Sequence, residues 1–534
     1  MRPRVWAPFA ETSVTLVLDG QRHAMRQFGN GWWGADLEAE PGLRYAFALD
    51  SGELLADPRA LSLPDGPESS AQVVDLEQVR ASSTAWDGRA LPGSVIYELH
   101  IGTFTDEGTL DSAIERLDHL VGLGVDVVEV MPLASFPGRH GWGYDGVGLY
   151  AVHEPYGGPL AFRRFIDACH ARGLAVCLDV VYNHLGPSGN HLGEFGPYFT
   201  SRYGTPWGQA VNLDGAGSDE VRRFIIDNAL MWLRDFHVDG LRLDAVHALH
   251  DERALTLLEE LAAEVAALSA QLGRPLWLIA ESDRNDPRTV TPRAARGLGL
   301  DAQWADDVHH ALHVALTGET HGYYADFAAP GVLEKVLEGV FFHDGTYSTF
   351  RQQTHGRPLD RAALPGWRFV ASLQTHDQVG NRARGDRLCA SVAPGLLACG
   401  AALLLTAATT PMLFMGEEWG ASTPWMYFTD HTDPAIADAV RRGRREEFAR
   451  HGWALDDVPD PQAPETFERS RLDWDERGRE PHARLLAWYR DLIRLRREHH
   501  DLRDPRLDHV HVDDDAEAGT VVVHRGDHLV VVNL

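Results

Sequence analysis

The sequence predicts an α/β protein, a (β/α)8 barrel set between an N-terminal β-sandwich and a small C-terminal β domain. Three observations carry this prediction. Between residues 94 and 419 short apolar runs alternate with segments of helical period, the pattern of parallel strands joined by crossover helices. Four of those runs end in polar groups, at Asp179 to His184, at Arg242 and Asp244, at Glu281, and at His376 and Asp377, as strands do when their C-terminal ends share one site on a barrel rim. On both flanks the chain changes to period-two alternation broken by turn residues. The domains are expected at residues 1–88, 89–500 and 501–534.

Taken in order, the runs at 14–18 and 43–49 are punctuated by Asp19-Gly20, Gly29-Asn30-Gly31 and Pro41-Gly42, which are hairpin signals of a small sandwich. Its Trp6, Trp32 and Trp33 read as core residues, with sugar stacking the rarer role for such tryptophans. Barrel strands are expected at 94–100, 125–133, 175–181, 240–245, 275–281, around 299–304, 368–376 and 411–419. Helices are expected at 110–123, 160–172, 218–236 and 251–271, the third with Ser218 as N-cap and Asp219 and Glu220 in its first turn. Polar loops at 134–159 and 185–217 would wall the site, and a helix at 483–500 would close the barrel. Strand-like runs follow at 509–512, 520–524 and 529–534. Three strands make a poor free-standing sheet, so this last domain is expected to be truncated here.

The 534 residues exceed one domain and carry enough apolar content for two or three cores. With 49 basic against 78 acidic residues the net charge is −29, which argues against nucleic acid and anionic membrane as partners and fits a neutral substrate better. Cys169, Cys177, Cys389 and Cys399 form no CxxC pair and are expected to be small core residues. The N-terminus lacks an apolar signal segment, and Gly400 and Pro411 interrupt the Ala-rich run at 396–415, so a soluble, cytoplasmic protein is expected.

Alternation puts Arg242 and Asp244 on one side of a strand, opposite Leu241 and Leu243. An arginine beside a carboxylate holds it ionised and directs it, which a carboxylate nucleophile requires. One such pair alone reads as a structural ion pair; the three other polar strand ends turn the balance toward a site. Glycoside hydrolysis needs two carboxyl groups in different protonation states around an oxocarbenium-like transition state. Asp244 is the group kept ionised, and Glu281, closing the apolar run 276–280, is the one whose pKa desolvation raises. His184 and His376 supply donors for sugar hydroxyls, and Asp377 is a third acid able to grip them.

Asp179-Val-Val-Tyr-Asn-His184, Gly240-Leu-Arg-Leu-Asp-Ala245, Glu281 and His376-Asp377 resemble, in order and strand position, the four signature regions of the alpha-amylase superfamily. The resemblance covers the barrel. It implies a retaining mechanism in which Asp244 forms a covalent β-glucosyl ester, Glu281 acts as acid and then base, Asp377 stabilises the distorted transition state and Arg242 positions Asp244. Within the superfamily, Phe136-Pro-Gly-Arg-His-Gly-Trp-Gly-Tyr-Asp-Gly146, Glu154-Pro-Tyr-Gly-Gly-Pro159, Asp307-Val-His-His-Ala-Leu-His313, the stretch 373–382 and the stretch 416–425 look like the trehalohydrolase branch, which is similar in domain order too. That likeness implies cleavage of the α-1,4 bond beside the terminal trehalose of a maltooligosyltrehalose, with maltooligosyltrehalose synthase as the functional partner that makes the substrate. It also implies that Tyr144 stacks on the sugar whose bond is cut, with Asp145 beside it, that His247 faces the leaving trehalose, and that His376 and Gln378 contact substrate. Thr375 departs from the asparagine expected before His376-Asp377 but keeps a hydroxyl. Trp142 and Trp207 are candidate sugar platforms, with packing as the equal alternative.

His309 and His313 have the i, i+4 spacing of a metal pair on a helix face. No acid or cysteine completes the set in sequence and the chemistry above needs none, so no metal and no cofactor is expected. Two rivals remain: an α-glucan branching or debranching enzyme of the same superfamily, and a catalytically silent glucan-binding barrel. No GxGxxG or GxxxxGK[ST] stretch supports a nucleotide-dependent enzyme.

Overall fold

The computed structural model describes residues 1–50, 52–82, 84–450, 458–515 and 517–534, the side chains of 447–450 excepted. At its centre eight parallel strands close on themselves: β1 (Ile96–Leu99), β2 (Val127–Val130), β3 (Ala175–Val180), β4 (Gly240–Leu243), β5 (Trp277–Ala280), β6 (Ala302–Trp304), β7 (Phe369–Ser372) and β8 (Thr410–Phe414), with β8 pairing back to β1. Each lies inside or across a run expected from the sequence. Their residues are buried on both faces, which is why they read as continuous apolar runs and not as alternation.

Ile96, Val127, Ala175, Trp277, Ile279, Trp304, Val370 and Met412 fill the inside of the barrel as a core of their own. Gly240 opens β4 because a Cβ there would stand 2.0 Å from the Trp277 ring of the neighbouring strand. Bulk supplied by one strand therefore dictates the smallest residue on the next.

The crossover helices differ from expectation at their ends. Ser218 is not an N-cap: it is the buried first residue of Ser218–Arg234, and Gly217, at φ 77°, occupies the cap. The helix expected from 251 starts at Leu257, because Asp251 accepts from Leu257 N–H and Arg222, while Thr256 and Glu259 close a reciprocal capping box. The segment 110–123 forms two helices, Leu110–Ile114 and Leu117–Leu123, and Gly124 at φ 100° ends the second.

Two antiparallel sheets precede the barrel. One is built from Arg4–Trp6, Trp32–Gly34 and Arg26–Gly29, the other from Thr15–Leu18, Gln21–Ala24, Arg44–Ala48 and two short edge pieces. Trp6 and Trp33 are buried there and donate to the Asn30 and Ala7 carbonyls, so they pack and do not face sugar. At the other end Val510–Asp515, Thr520–Arg525 and His528–Asn533 form a three-stranded sheet. It is stable despite its size because it lies against helices Val332–Gly339 and Pro394–Thr406, burying Val510, Val512, Val521, Val523 and Val532.

Cys169 and Cys177 are core residues, but Cys389 and Cys399 are half-buried, a correction to the expectation for all four. Cys389 sits on a short 3-10 turn with its thiol toward the Ala421 carbonyl, and Cys399 on a helix that holds its thiol toward the Asn533 carbonyl. Among the described residues no helix is long and apolar enough to cross a membrane.

Candidate active site

The site is assembled around one buried guanidinium. Arg242 points inward from β4 directly opposite Asp179 of β3, and its Nη1 donates to Asp179 Oδ2 at 2.7 Å and to Asp244 Oδ1 at 2.9 Å. Its Nη2 lies 3.0 Å from Glu281 Oε2, and the plane of the group rests 4.3 Å from the Trp304 ring centroid. Three carboxyl groups from three consecutive strands are thereby fixed by a single planar fork. Asn183 Nδ2 donates to the second oxygen of Asp244 at 3.0 Å, so both its oxygens are aimed.

Directly after Asp244, Ala245 turns into the left-handed region at φ 37°, an uncommon conformation for a residue with a Cβ. This turn directs the Ala245 N–H to Glu281 Oε2 at 2.7 Å. Local strain is thus used to orient the acid on the next strand. Burial, reinforced by the Asp244 charge, raises the Glu281 carboxyl against the pull of Arg242. Burial likewise lifts Asp179 to about 7. Asp377, whose side chain is 43% exposed to the cleft, is raised by its enclosed surroundings and by Glu281.

His376 forms the opposite wall. Its Nδ1 meets Glu98 Oε1 and its Nε2 lies 2.9 Å from the Tyr144 hydroxyl, which itself donates to Asp179 Oδ2 at 2.7 Å. Tyr144 has one proton and gives it to Asp179, so His376 donates from both nitrogens and is an imidazolium. Burial works against that charge, but Glu98 and Asp377 override it and raise the group to about 9.

The other expected residues fall nearby with differing roles. The Tyr144 ring stacks on His376 at 5.2 Å. His184 sits with Nε2 3.0 Å from the Tyr144 carbonyl, and the indole of Trp207, 47% exposed, lies parallel to it at 4.5 Å. Asp145 is raised by burial and lies 3.8 Å from His431 Nε2. His247 follows β4 on the turn Val246–Ala248, 3.6 Å from Asp283. Gln378 uses its Oε1 to accept from the Thr375 N–H and hydroxyl, capping the helix His376–Gly380. Trp142 is buried against Trp425 and donates to the Met426 carbonyl, which makes it a packing residue. His313 does meet an acid, Glu319 at 2.8 Å, but Arg382 holds both oxygens of that carboxylate. Among the described residues no three His, Cys, Asp or Glu side chains group to hold a metal.

Sequence reasoning passed over Glu98, Trp304 and Asp306 as site members and quoted Asp179 and Asn183 only as part of a motif. A signal existed for Glu98, a charge inside the apolar run 95–99. Asp306 opens the helix Asp306–Thr317 beside the cleft, where burial and Glu281 raise it to about 8.

The Alpha-amylase family model, described as the alpha amylase catalytic domain, matches residues 75–196. The chain is similar to the malto-oligosyltrehalose trehalohydrolase of Arthrobacter ramosus, 61% identical over 92% of this chain and 86% of that protein. It is 54% identical to the malto-oligosyltrehalose trehalohydrolase of Mycobacterium tuberculosis over 99% of this chain and 92% of that one. A solved structure of a candidate alpha amylase from Salmonella typhimurium superposes with a TM-score of 0.91 at 40% identity, covering 98% of this chain and 88% of the other.

Proposed function

The chain belongs to the malto-oligosyltrehalose trehalohydrolase family of the alpha-amylase superfamily, and on that premise we propose that Asp244, Glu281 and Asp377 carry its chemistry. The activity is hydrolysis of the α-1,4 bond beside the terminal trehalose of a maltooligosyltrehalose, releasing trehalose. Asp244 attacks the anomeric carbon as a carboxylate while Glu281 gives its proton to the bridging oxygen, so the C–O bond breaks and trehalose leaves with that proton. The glucan remains as a β-glucosyl ester of Asp244. Glu281, now ionised, takes a proton from water as the water attacks the anomeric carbon of the glucosyl ester, which breaks its bond to Asp244 and returns an α-configured reducing end. Asp377 grips hydroxyls of the distorted ring, and the His376 imidazolium offsets the charge of the surrounding carboxylates.

The observation that carries this reading is the Arg242 fork, which contacts both Asp244 and Glu281. One guanidinium bridging two carboxyl groups favours the roughly 5–5.5 Å spacing of a double-displacement pair over the roughly 6.5–9.5 Å that leaves room for a water. Although Arg242 contacts both groups, burial and the Asp244 charge raise the Glu281 carboxyl, which suits it to the acid role. Tyr144, Asp145, His184, His247 and Trp207 line the approach and are assigned to sugar binding. Gln378 is assigned through the cap it gives the Asp377 turn. A synthase that builds the trehalose end supplies the substrate in the cytoplasm, and the domain divisions lie near residues 88 and 500.

The test is product analysis on maltooligosyltrehalose and, separately, on a plain maltooligosaccharide of equal length. Free trehalose from the first with little cleavage of the second is expected. Comparable cleavage of both, or chain transfer, would move the assignment to a branching or debranching reaction. Retention of all activity by Glu281→Gln would overturn the catalytic assignment.

A further inference from the structure

At the opposite end of the barrel from the acids, the approaches to β1 and β2 border a cavity of about 390 Å³ lined by Arg89, Ser94, Asp126, Arg497 and Arg503. Asp126, the residue before β2, forms its buried floor. Its Oδ1 accepts from Arg89 Nη1 and from Arg497 Nη2, each at 2.7 Å, and its Oδ2 accepts the Val95 N–H at 3.0 Å. Arg89 also reaches the Gly173 carbonyl and Arg497 the Gly124 carbonyl. These bonds tie the helix His482–Glu498 to the foot of the barrel, and they account for two of the three arginines. They leave Arg503 unexplained: it is exposed on the turn His500–Arg503 and, among the described residues, makes no ion pair.

The positive charge continues behind the cavity. Arg496 is buried and donates only to carbonyls, those of Leu405, Ala407, Leu502 and Thr409, and its Nε has no partner. Arg525, equally buried, donates to the carbonyls of Thr406, Asp501, Leu502 and Asp504. Burial, with the repulsion of Arg525 and Arg503 against the pull of Asp126, lowers Arg496 to about 9. In a chain whose net charge is −29, such a concentration does not follow from composition.

We propose that this cavity binds a phosphate group, free or carried on a small sugar. The three lining arginines and the single floor carboxylate leave a formal charge of 3 − 1 = +2, which matches a phosphate dianion. Most of the guanidinium donors at the cavity are unspent, and planar forks converging from separate segments suit a tetrahedral anion. The neutral glucan substrate has no use for this charge, so the site is separate from catalysis. An anion here bridges the turn that carries Arg503, the helix that carries Arg497 and the loop that carries Arg89, and so stabilises the folded protein by linkage.

The test uses the full chain, with inorganic phosphate and glucose 6-phosphate as probes and chloride at matched ionic strength as control. Calorimetric titration and thermal unfolding are read for the wild type and for Arg503→Ser and Arg503→Lys. Saturable one-site binding that raises Tm above the chloride control is expected. Arg503→Ser should weaken it at least tenfold, Arg503→Lys less, with trehalose release unchanged in both. Tighter binding of glucose 6-phosphate than of phosphate assigns the site to a phosphorylated sugar, and equal binding assigns it to free phosphate. Absence of saturable binding of either probe to the wild type, or binding by Arg503→Ser equal to wild type, would overturn the proposal and leave the arginines as staples of the barrel foot.

Discussion

His376 and the carboxylate of Glu98 make two contacts inside the barrel, the imidazole Nδ1 to Oε1 and the His376 backbone N–H to Oε2 at 3.1 Å. Both side chains are buried, so the pair is poorly screened, and it determines the charge of the residue beside Asp377.

Glu98→Gln removes that charge while keeping an acceptor. His376 should then lose its proton more easily, because burial alone lowers an imidazolium. The His376 ring is expected to titrate at least about one pH unit lower in the variant, followed by NMR, the order of shift produced by one nearby opposite charge. The folded value of about 9 lies above the unfolded one, so this pair's stabilisation is complete below about 6.5 and is lost as pH rises toward 9. The Tm gap between wild type and variant should accordingly be widest near pH 6 and narrow by pH 9. An unshifted titration and a Tm gap that does not vary with pH would contradict the imidazolium.

Asp244→Asn and Glu281→Gln should each reduce kcat by at least about 10³-fold, within the range expected for loss of a nucleophile or a positioned acid. Stability should not fall with activity, since Asp244→Asn removes one charge from a site crowded with carboxyl groups and Glu281→Gln replaces a carboxyl whose raised pKa already favours its neutral form. Comparing Tm with turnover separates a chemical role from a folding role: Tm falling in step with kcat would argue for structural residues only.

Trp207 offers an exposed indole parallel to His184, and Trp207→Ala is expected to raise KM about 2–10-fold with little change in kcat, the worth of one aromatic stacking contact. The measurement is steady-state kinetics on trehalose-ended chains of several lengths. A length-independent fall in kcat with constant KM would instead make the tryptophan a support for the hairpin of strands Phe199–Thr205 and Gly208–Val211.

Gln378→Ala breaks the capping box with Thr375 and should cost about 1 kcal/mol of stability, read by denaturant titration. Because the cap holds the turn carrying Asp377, kcat should fall more than KM rises. A rise in KM alone, with stability intact, would return Gln378 to direct contact with substrate.

Much of the molecule was legible in the chain. The eight strands showed as apolar runs because parallel strands buried on both faces have no solvent side to interrupt them. Asp244, Glu281 and Asp377 could be named because each ends such a run, where a charge has no core role. Helix ends were less readable. Asp251 looked like part of a helix but is spent on Arg222, and Ser218 looked like a cap but is buried, since the same short polar side chains serve several partners and only the neighbours choose.

What the sequence by itself determined is the fold class, the order of the strands and which acids stand at their ends, because hydrophobic periodicity and strand parity are local properties. Tertiary structure alone decided what surrounds those acids. It set Arg242 against Asp179, Asp244 and Glu281 together, turned the Ala245 N–H onto Glu281, and buried Glu98 beneath His376. Protonation depends on desolvation and on charges a few ångströms away, and those charges come from strands far apart in the chain.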